Sequence, residues 1–200
     1  MSKRQIIRRQ YFCICEGQQE KIYLSHLSSL LKTDVRQITF KTKEGQAKKI
    51  QSHRHIKYDK AILFDYDGNS IEFERALHEC RKASCMHAYS NLNFDLWLLL
   101  HKKDFSSSVT NNNDYINEIR STYKLKSDAD IKNYKEVTRI VEQISLCDVK
   151  DAIKRAKQIR EHKLPNDGHK IHGVTYYGNP DLSIHEFIMR VFKECGESAA

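Results

Sequence analysis

Two apolar runs in this chain of 200 residues end in acidic side chains directly before a glycine. The first run, residues 11–15, is followed by Glu16, and the second, residues 61–64, is followed by Asp65 and Asp67. Such short, continuous apolar runs are typical of strands buried on both faces of a parallel sheet. In open α/β sheets, ligands bind outside the carboxyl ends of the strands. The pattern therefore predicts that the three carboxylates converge at one edge of a sheet.

The composition is that of an ordinary globular protein, with 40% hydrophobic and 30% charged residues. Its length fits one domain, or a core domain with a smaller appendage. No apolar run approaches the roughly 20 residues that span a bilayer. The basic N-terminal residues 1–10 lack the apolar stretch of a secretory signal, so we expect a cytoplasmic location. A disulfide framework among the six cysteines is not expected there.

The formal net charge of +8 favours a polyanionic partner. Basic residues concentrate in segments 3–9, 41–60 and 150–170. Such a field promotes encounter with nucleic acid and makes binding salt-dependent, but it does not choose between DNA and RNA. Solvated lysine faces are the simpler explanation of the same charge.

Strand-like and helix-like patterns alternate through the first half of the chain. Predicted strands cover residues 8–15, 37–43, 60–66 and 85–89, and predicted helices cover residues 18–32, 46–56, 69–82 and 90–101. Asn91 or Asn93 is expected to cap the last of these helices, with Asp95 near its positive end. This alternation predicts an α/β fold built of βαβ units, with a mostly parallel sheet flanked by helices.

The pattern changes after residue 104. A polar loop is predicted over residues 106–113, helices over 115–123, 132–146, 148–162 and 184–193, and a long loop over 165–180. We therefore divide the chain into an α/β catalytic core, residues 1–104, and a mainly helical C-terminal region, residues 105–200, packed on that core.

The acidic residues suit a divalent metal ion. Asp65 and Asp67 are two positions apart, so on an extended backbone their side chains point to the same side. Carboxylate oxygens are preferred ligands of Mg²⁺ and Mn²⁺. Glu16 has two roles open to it, as a third ligand or as a general acid/base. The simpler alternative is that all three are solvated strand-end residues, since Asp67-Gly68 is a common turn dipeptide.

Two further residues are candidates for catalysis or binding. His101 is suited to contact a scissile phosphate or relay a proton, although the negative end of a helix dipole also explains a histidine there. Lys135 is a candidate phosphate contact, against the commoner solvated helix lysine. Trp97 is expected in the core rather than as a base-stacking platform.

Two other patterns remain open. His78, Cys80, Cys85 and His87 are zinc-ligand types, but their spacing departs from the common paired motifs and favours chance clustering. The loop predicted over residues 165–180 carries aromatic residues beside cations, which suits nucleic-acid binding, although disorder explains it equally well.

Several strings, taken together, resemble the RloB-like family, which includes the second component of AbiL-type phage-abortive systems. They are Cys15-Glu16-Gly17 with Glu20, Asp65-Tyr66-Asp67, Ser90-Asn91-Leu92-Asn93-Phe94-Asp95-Leu96-Trp97-Leu98-Leu99-Leu100-His101, Tyr134-Lys135, Ala152-Ile153-Lys154-Arg155-Ala156 and Asn179-Pro180. The Trp-Leu-Leu-Leu-His string is the most specific of them.

The resemblance implies a Toprim-like core, in which the matching Glu16, Asp65 and Asp67 bind divalent metal at a phosphodiester. Glu20 and Asp95 are then expected beside the metal, as ligands or as partners of ligands. The family pattern usually has proline at Leu92 and glutamate at Asp95, and the shorter Asp95 weakens its case as a ligand. An ATPase partner is also implied by the resemblance.

The leading functional hypothesis is a Mg²⁺- or Mn²⁺-dependent nuclease, acting on DNA or RNA in phage defence under control of an ATPase partner. The main alternative is a non-catalytic nucleic-acid sensor or regulatory subunit that keeps the acidic cluster. A third is nucleotide binding without hydrolysis of nucleic acid. The chain lacks the Gly-x-x-x-x-Gly-Lys-Ser/Thr motif, so a P-loop ATPase is not supported.

Overall fold

A computed structural model describes residues 6–107 and 111–198 of the chain. Four parallel strands form the central sheet: β1 (Ile7–Cys15), β2 (Arg36–Glu44), β3 (Asp59–Tyr66) and β4 (Met86–Asn91). The helices are α1 (Gln18–Leu30), α2 (Ser70–Lys82), α3 (Asp95–Leu100), α4 (Asn112–Thr122), α5 (Tyr134–Val141), α6 (Leu146–Glu161) and α7 (Ile184–Glu194). Two 3-10 helices, Ala47–His53 and Pro165–Asp167, and a two-stranded hairpin of β5 (His169–Ile171) and β6 (Val174–Tyr176) complete the described elements. The prediction of an α/β fold with a parallel sheet and a helical C-terminal region is confirmed.

The strand order β2-β1-β3-β4 creates a topological switch point. From β1 the chain passes through α1 to β2 on one side, and it then crosses to β3 on the other side of β1. In open sheets of this kind, the crevice at the carboxyl ends of the two strands flanking the switch is the preferred ligand site. Here those strands are β1 and β3, the two that end in the acidic residues.

Alternate side chains of the sheet enter two separate cores. Tyr11, Cys13 and Leu63 belong to the larger core, on the face covered by α1 and α3–α7. Ile14 and Phe64 belong to the smaller core, on the face covered by α2, the first 3-10 helix and the hairpin. Because both faces are buried, β1 and β3 must be apolar without alternation, and this accounts for the unbroken runs in the sequence.

Helices α3–α7 share the larger core with α1 and the sheet. Trp97 is fully buried there, as predicted, together with Val137 of α5, Ile153 of α6 and Phe187 of α7. The apolar contacts therefore continue across residue 104. Among the helices of the described part of the chain, none is long and apolar enough to cross a membrane.

The long loop predicted over residues 165–180 contains regular secondary structure, which the prediction missed. The segment contains the second 3-10 helix and the hairpin, whose strands pair Ile171 with Val174 across a two-residue turn. His172 and Gly173 both have positive φ in this turn, as tight hairpins require. Tyr176 packs against the ring of Phe73 on α2. Three-residue strands are too short for their periodicity to be visible in the sequence.

Other predicted boundaries also change. The basic helix predicted over residues 46–56 is the 3-10 helix Ala47–His53. The helix predicted over 132–146 ends with α5 at Val141, because Ser145 and Asp148 form a capping box that starts α6. Residues 108–110 of the polar loop predicted over 106–113, and residues 1–5 of the basic N-terminus, lie outside the described residues.

Only the second half of the helix predicted over residues 90–101 is helical, as α3. The first residues of that range complete strand β4 and form the turn that follows it. Asn93 rather than Asn91 serves the helix start, since its side-chain oxygen accepts the backbone N–H of Asp95 at 2.9 Å. Leu92 lies in the turn with φ +65°. This angle is uncommon for leucine, and a proline ring excludes it, so the proline that the resemblance implies at this position could not adopt the same turn.

Candidate acidic site at the carboxyl edge of the sheet

Glu16 and Asp65 are joined at the switch point. Glu16 directly follows β1, and its backbone N–H donates to the carbonyl of Leu63 at 3.1 Å. Its carboxylate oxygen Oε2 accepts the backbone N–H of Asp65 at 2.9 Å. This hydrogen bond ties the acidic ends of β1 and β3 together, so two of the predicted site residues are neighbours.

Asp67 occupies an exposed turn just beyond β3. Its Oδ1 accepts the backbone N–H of Asn69 at 3.4 Å, and the Asn69 side chain in turn accepts the N–H of Glu72 to cap α2. Gly68 between them has φ +90°, an angle that favours glycine. Asp67 is therefore an exposed turn residue, as the simpler interpretation of the Asp67-Gly68 pair predicted. Its carboxylate nevertheless lies at the same edge of the sheet as Glu16 and Asp65.

A polar cleft of about 630 Å³ opens beside these three residues. Its walls come from the sheet edge, the start of the first 3-10 helix and one side of α2. The charged residues that line it are Glu16, Asp65, Asp67, Lys48, Glu72, Arg75 and Glu79. Carboxylates at the strand ends thus share one cavity with a lysine and an arginine.

Two further carboxylates lie on the α1 side of Asp65. Glu20 is buried in the first turn of α1, and Asp95 is fully buried at the start of α3. Burial raises the pKa of Asp65 well above its usual range, and the carboxylates of Glu20 and Glu16 raise it further. Burial likewise raises the pKa of Glu20 to about 7, against the opposing effects of backbone N–H groups and of Lys132. The site therefore concentrates more negative charge than its surroundings stabilise.

Lys132 and Gln19 connect to this acidic group and were missed by sequence reasoning. The Lys132 ammonium lies 3.1 Å from Asp95 Oδ2 and donates to Gln19 Oε1 at 2.8 Å. The Gln19 amide donates to Asp95 Oδ1 at 2.9 Å. No local motif distinguishes Lys132 from the other lysines, because only the docking of the segment before α5 brings it here.

Lys135, the lysine singled out in the sequence, points elsewhere. It is exposed on α5, and its backbone N–H donates to the Asn133 side chain. Its ammonium forms no hydrogen bond or ion pair with any residue in ranges 6–107 and 111–198. Lys132, three residues earlier in the chain, is the lysine that contacts the acidic group, through Asp95.

His101 lies inside the larger core. Its ring nitrogens face the Trp97 carbonyl at 2.8 Å and the Tyr23 hydroxyl at 3.1 Å. Burial lowers the pKa of His101 to about 3, so the ring is neutral at physiological pH. The alternative explanation, in which a helix dipole stabilises a charged histidine, therefore does not account for this position, because desolvation outweighs the dipole. The hydrogen bonds of this ring lead to core residues and not to the three strand-end carboxylates.

The donor chemistry of the acidic site fits a hard divalent cation, since Glu16, Asp65 and Asp67 offer carboxylate oxygens alone. Across the described residues, no three His, Cys, Asp or Glu side chains already converge closely enough to hold a metal ion. Glu16, Asp65 and Asp67 would therefore have to rotate toward one another to share a cation.

Within the zinc-like pattern the thiols of Cys80 and Cys85 interact with each other, while Cys80, His87 and His78 also have contacts outside the pattern. The Cys80 thiol donates weakly to the Met86 carbonyl, and His87 Nδ1 lies 3.1 Å from the Ser183 hydroxyl. His78 packs near the ring of His172. Chance clustering, which the spacing favoured, is consistent with this arrangement.

Comparison with known proteins identifies the family. A family model described as RloB-like protein matches residues 11–191, from the middle of β1 into α7. Neither the curated proteins nor the solved structures contain a significant match to the chain. The matched stretch includes both acidic strand ends, α1, α3 and the Lys132 segment. Because the match covers most of its length, this chain belongs to the RloB-like protein family.

Proposed function

We propose that this protein hydrolyses phosphodiester bonds of nucleic acid with the help of Mg²⁺ or Mn²⁺ held at the carboxyl edge of the sheet. The hydrogen bond between Glu16 and the backbone of Asp65 carries the proposal, because it brings two acidic strand ends together at the switch point. Asp67 lines the same cleft. We assign Asp65 and Asp67 as metal ligands, and Glu16 as a ligand or general base.

The electrostatics of the site support a cation there. The pKa values of Asp65 and Glu20 are raised in part by neighbouring carboxylates. A bound divalent ion would relieve this repulsion and favour the ionised form of each group. Such an ion also activates water and stabilises charge on phosphoryl oxygens, which is the chemistry that phosphodiester hydrolysis needs.

The other residues of the site act on the substrate or on the ligands. Lys48 and Arg75 line the cleft, where each is suited to meet a phosphate. Lys132 and Gln19 both donate hydrogen bonds to Asp95. The Glu20 carboxylate lies close to Gly17 at the start of α1, where its Oε2 is 3.1 Å from the position that a Cβ on Gly17 would take. These contacts would position the acidic side chains before substrate arrives.

The biological setting is a proposal drawn from the resemblance. The RloB-like strings imply an AbiL-type role in phage defence, a Toprim-like core and control by an ATPase partner. The net charge of +8 agrees with a nucleic-acid substrate. The competing proposal is a nucleic-acid sensor without turnover, which the lack of converging ligands among the described residues favours.

Cleavage assays test the proposed activity. Purified protein, with and without the proposed ATPase partner, is incubated with DNA and RNA in Mg²⁺ or Mn²⁺. We expect cleavage by the wild type and none by the double variant Asp65→Asn/Asp67→Asn, which keeps side-chain size but removes two charges. The matched control is Asp128→Asn/Asp167→Asn, two exposed aspartates that should be replaceable without loss.

Undiminished cleavage by the Asp65/Asp67 variant would reject the metal site. Nucleic-acid binding without cleavage, across both metals, both substrates and the partner, would instead favour the sensor.

A further inference from the structure

We propose that the surface of residues 41–60, called here the basic track, binds single-stranded nucleic acid and leads it into the acidic cleft. The proposal deepens the proposed function by naming the substrate surface and the substrate class, and it rests on that function.

The basic track holds most of the uncompensated charge of the protein. It contains seven basic residues against two acidic ones, which leaves five of the eight net positive charges of the chain in one-tenth of its length. The basic residues are Lys41, Lys43, Lys48, Lys49, Arg54, Lys57 and Lys60.

The two acidic residues of the track do not neutralise these cations. Glu44 pairs with Lys21 at 3.1 Å, and Asp59 pairs with Arg190 at 3.4 Å, both outside the track. Within the described part of the chain, none of the seven basic residues forms an ion pair with a carboxylate. By contrast, Arg155, Arg160 and Arg190 of the C-terminal half are all paired. Several of the seven donate hydrogen bonds to neutral groups, such as Lys49 to the Glu44 carbonyl and Lys60 to the Ile56 carbonyl, but these contacts leave the positive charge uncompensated and available to phosphate.

The track begins at the cleft. The backbone N–H of Gly45 donates to the carbonyl of Cys15 at 2.8 Å, so the chain leaves β2 directly beside Glu16. Lys48 lines the cleft itself. The 3-10 helix Ala47–His53 then buries Ile50 in the smaller core and leaves Lys48 and Lys49 exposed. A strand bound along these cations would enter the cavity that holds the acidic residues.

Aromatic rings are interleaved with the cations. The His53 ring stacks on Phe12 with centroids 4.7 Å apart, and the exposed His55 ring lies nearly parallel to His53 at 6.5 Å. The ammonium of Lys41 sits 4.8 Å from the centre of the half-exposed Tyr58 ring. Rings beside cations bind single strands, because unpaired bases stack on the rings while phosphates meet the charges. Paired bases in a duplex are already stacked, so the rings favour a single-stranded partner.

Binding of a fluorescein-labelled thymidine homopolymer to the full-length protein, measured by anisotropy in EDTA, tests the track. The variant Lys43→Gln/Lys48→Gln/Lys57→Gln removes three track charges. The matched variant Lys124→Gln/Lys154→Gln/Lys193→Gln removes three exposed charges elsewhere. We expect the track variant to bind at least about tenfold more weakly at low salt, and its salt slope to fall by about 2, at roughly 0.7 per lost contact. The matched variant should stay near the wild type.

A substitution pair at His55 tests stacking separately from charge. His55→Ala should weaken binding about tenfold, and His55→Phe should retain wild-type affinity, because phenylalanine keeps a ring without a charge. Circular dichroism checks that each variant is folded. We expect folding because the substituted side chains lie on the outer surface or, for Lys48, in the open cleft. Equal losses for His55→Ala and His55→Phe would overturn the stacking role.

Other outcomes also overturn the proposal. Equal weakening by both triple variants would mean that net charge alone drives binding, and duplex bound as tightly as single strand would reject the substrate class. Because the assay is free of metal, it is separable from catalysis. Binding through the track without cleavage would reject the proposed hydrolysis and keep the track, whereas cleavage by a track variant that binds single strand as tightly as the wild type would keep the hydrolysis and reject the track.

Discussion

Asp65 belongs to two environments at once. Its backbone N–H holds the Glu16 carboxylate at the cleft, while its own carboxylate experiences the charges of Glu20, Lys132 and Asp95 on the α1 side. A substitution at Asp65 therefore disturbs both parts of the site. Asp67 is exposed and contacts its own turn, so a single Asp67→Asn change is the cleaner probe of the cleft alone.

The raised pKa of Glu20 makes a prediction for stability against pH. In the unfolded chain the carboxyl group has its usual pKa near 4.5, whereas burial raises the pKa to about 7 in the fold. The folded state therefore binds the proton more tightly, and its contribution to stability is lost as pH rises from the lower value through the upper one. Glu20→Gln removes this loss. We expect the variant to gain unfolding free energy relative to the wild type between about pH 5 and pH 8, by on the order of 1–3 kcal/mol.

Denaturant unfolding at several pH values measures the effect. The buried histidines His87, His101 and His185 have lowered pKa values and favour the fold as pH rises, but they are present in both proteins and cancel in the difference. Glu161→Gln, an exposed change of the same kind on α6, is the control and should show a constant offset. If the unfolding free energies of Glu20→Gln and the wild type change with pH in parallel, the raised pKa of Glu20 is contradicted.

At the scale of elements, Lys132 fastens the segment before α5 to two other helices. Its ammonium reaches Gln19 on α1 and Asp95 on α3. Asp95 is fully buried, so loss of the lysine leaves a buried carboxylate without its cation. Because the lysine side chain is itself 48% exposed, solvent screening reduces the cost of that loss.

We expect Lys132→Gln to lower the unfolding free energy by on the order of 1–3 kcal/mol, and Lys135→Gln to change it by less than about 0.5 kcal/mol. Urea unfolding of the two variants at neutral pH makes the comparison. Both variants remove one positive charge from the same part of the chain. A difference in their unfolding free energies therefore reports the contacts that the Lys132 ammonium makes and the Lys135 ammonium does not. Equal stabilities would show that the contact of Lys132 with Asp95 contributes nothing to the fold.

The elements also differ in how well their sequence predicts them. Strands β1 and β3 are long, apolar and followed by glycine, so their existence and exit points are readable from the chain. The hairpin of β5 and β6 has three-residue strands, and its turn uses His172 before Gly173 where asparagine or aspartate is commoner. Tyr176 becomes part of a core by packing on Phe73, a residue more than one hundred positions away. A local pattern cannot report such a contact.

For the whole molecule, the shared larger core predicts that residues 1–104 are not stable alone. Leu24 and Leu63 of the α/β part lie in one apolar cluster with Ile140 of α5 and Val191 of α7. Truncation after residue 104 would expose that face of the sheet and of α1 to water. We expect the fragment to lack a cooperative thermal transition and to bind the dye ANS, whereas the full chain shows the opposite.

Thermal unfolding followed by circular dichroism, together with ANS fluorescence, makes this test. A fragment with a sharp transition and no ANS binding would instead show that the α/β part is an independent domain, with the helical region as a true appendage.

The hydrophobic periodicity of the sequence was enough to predict the fold class and the parallel sheet. The acidic residues that follow two apolar runs were enough to predict that Glu16, Asp65 and Asp67 lie at the same edge of that sheet. These features are local: a strand buried on both faces must be apolar along its length, and the order of strands and helices follows from the chain itself. The partners of those carboxylates were decided by tertiary packing alone. Lys132 rather than Lys135 faces the acidic group, His101 is a neutral core residue, and the basic track begins beside Glu16, because each depends on which surfaces dock after the elements have formed. Burial and charge proximity arise between distant segments, and neither leaves a periodic trace in the sequence.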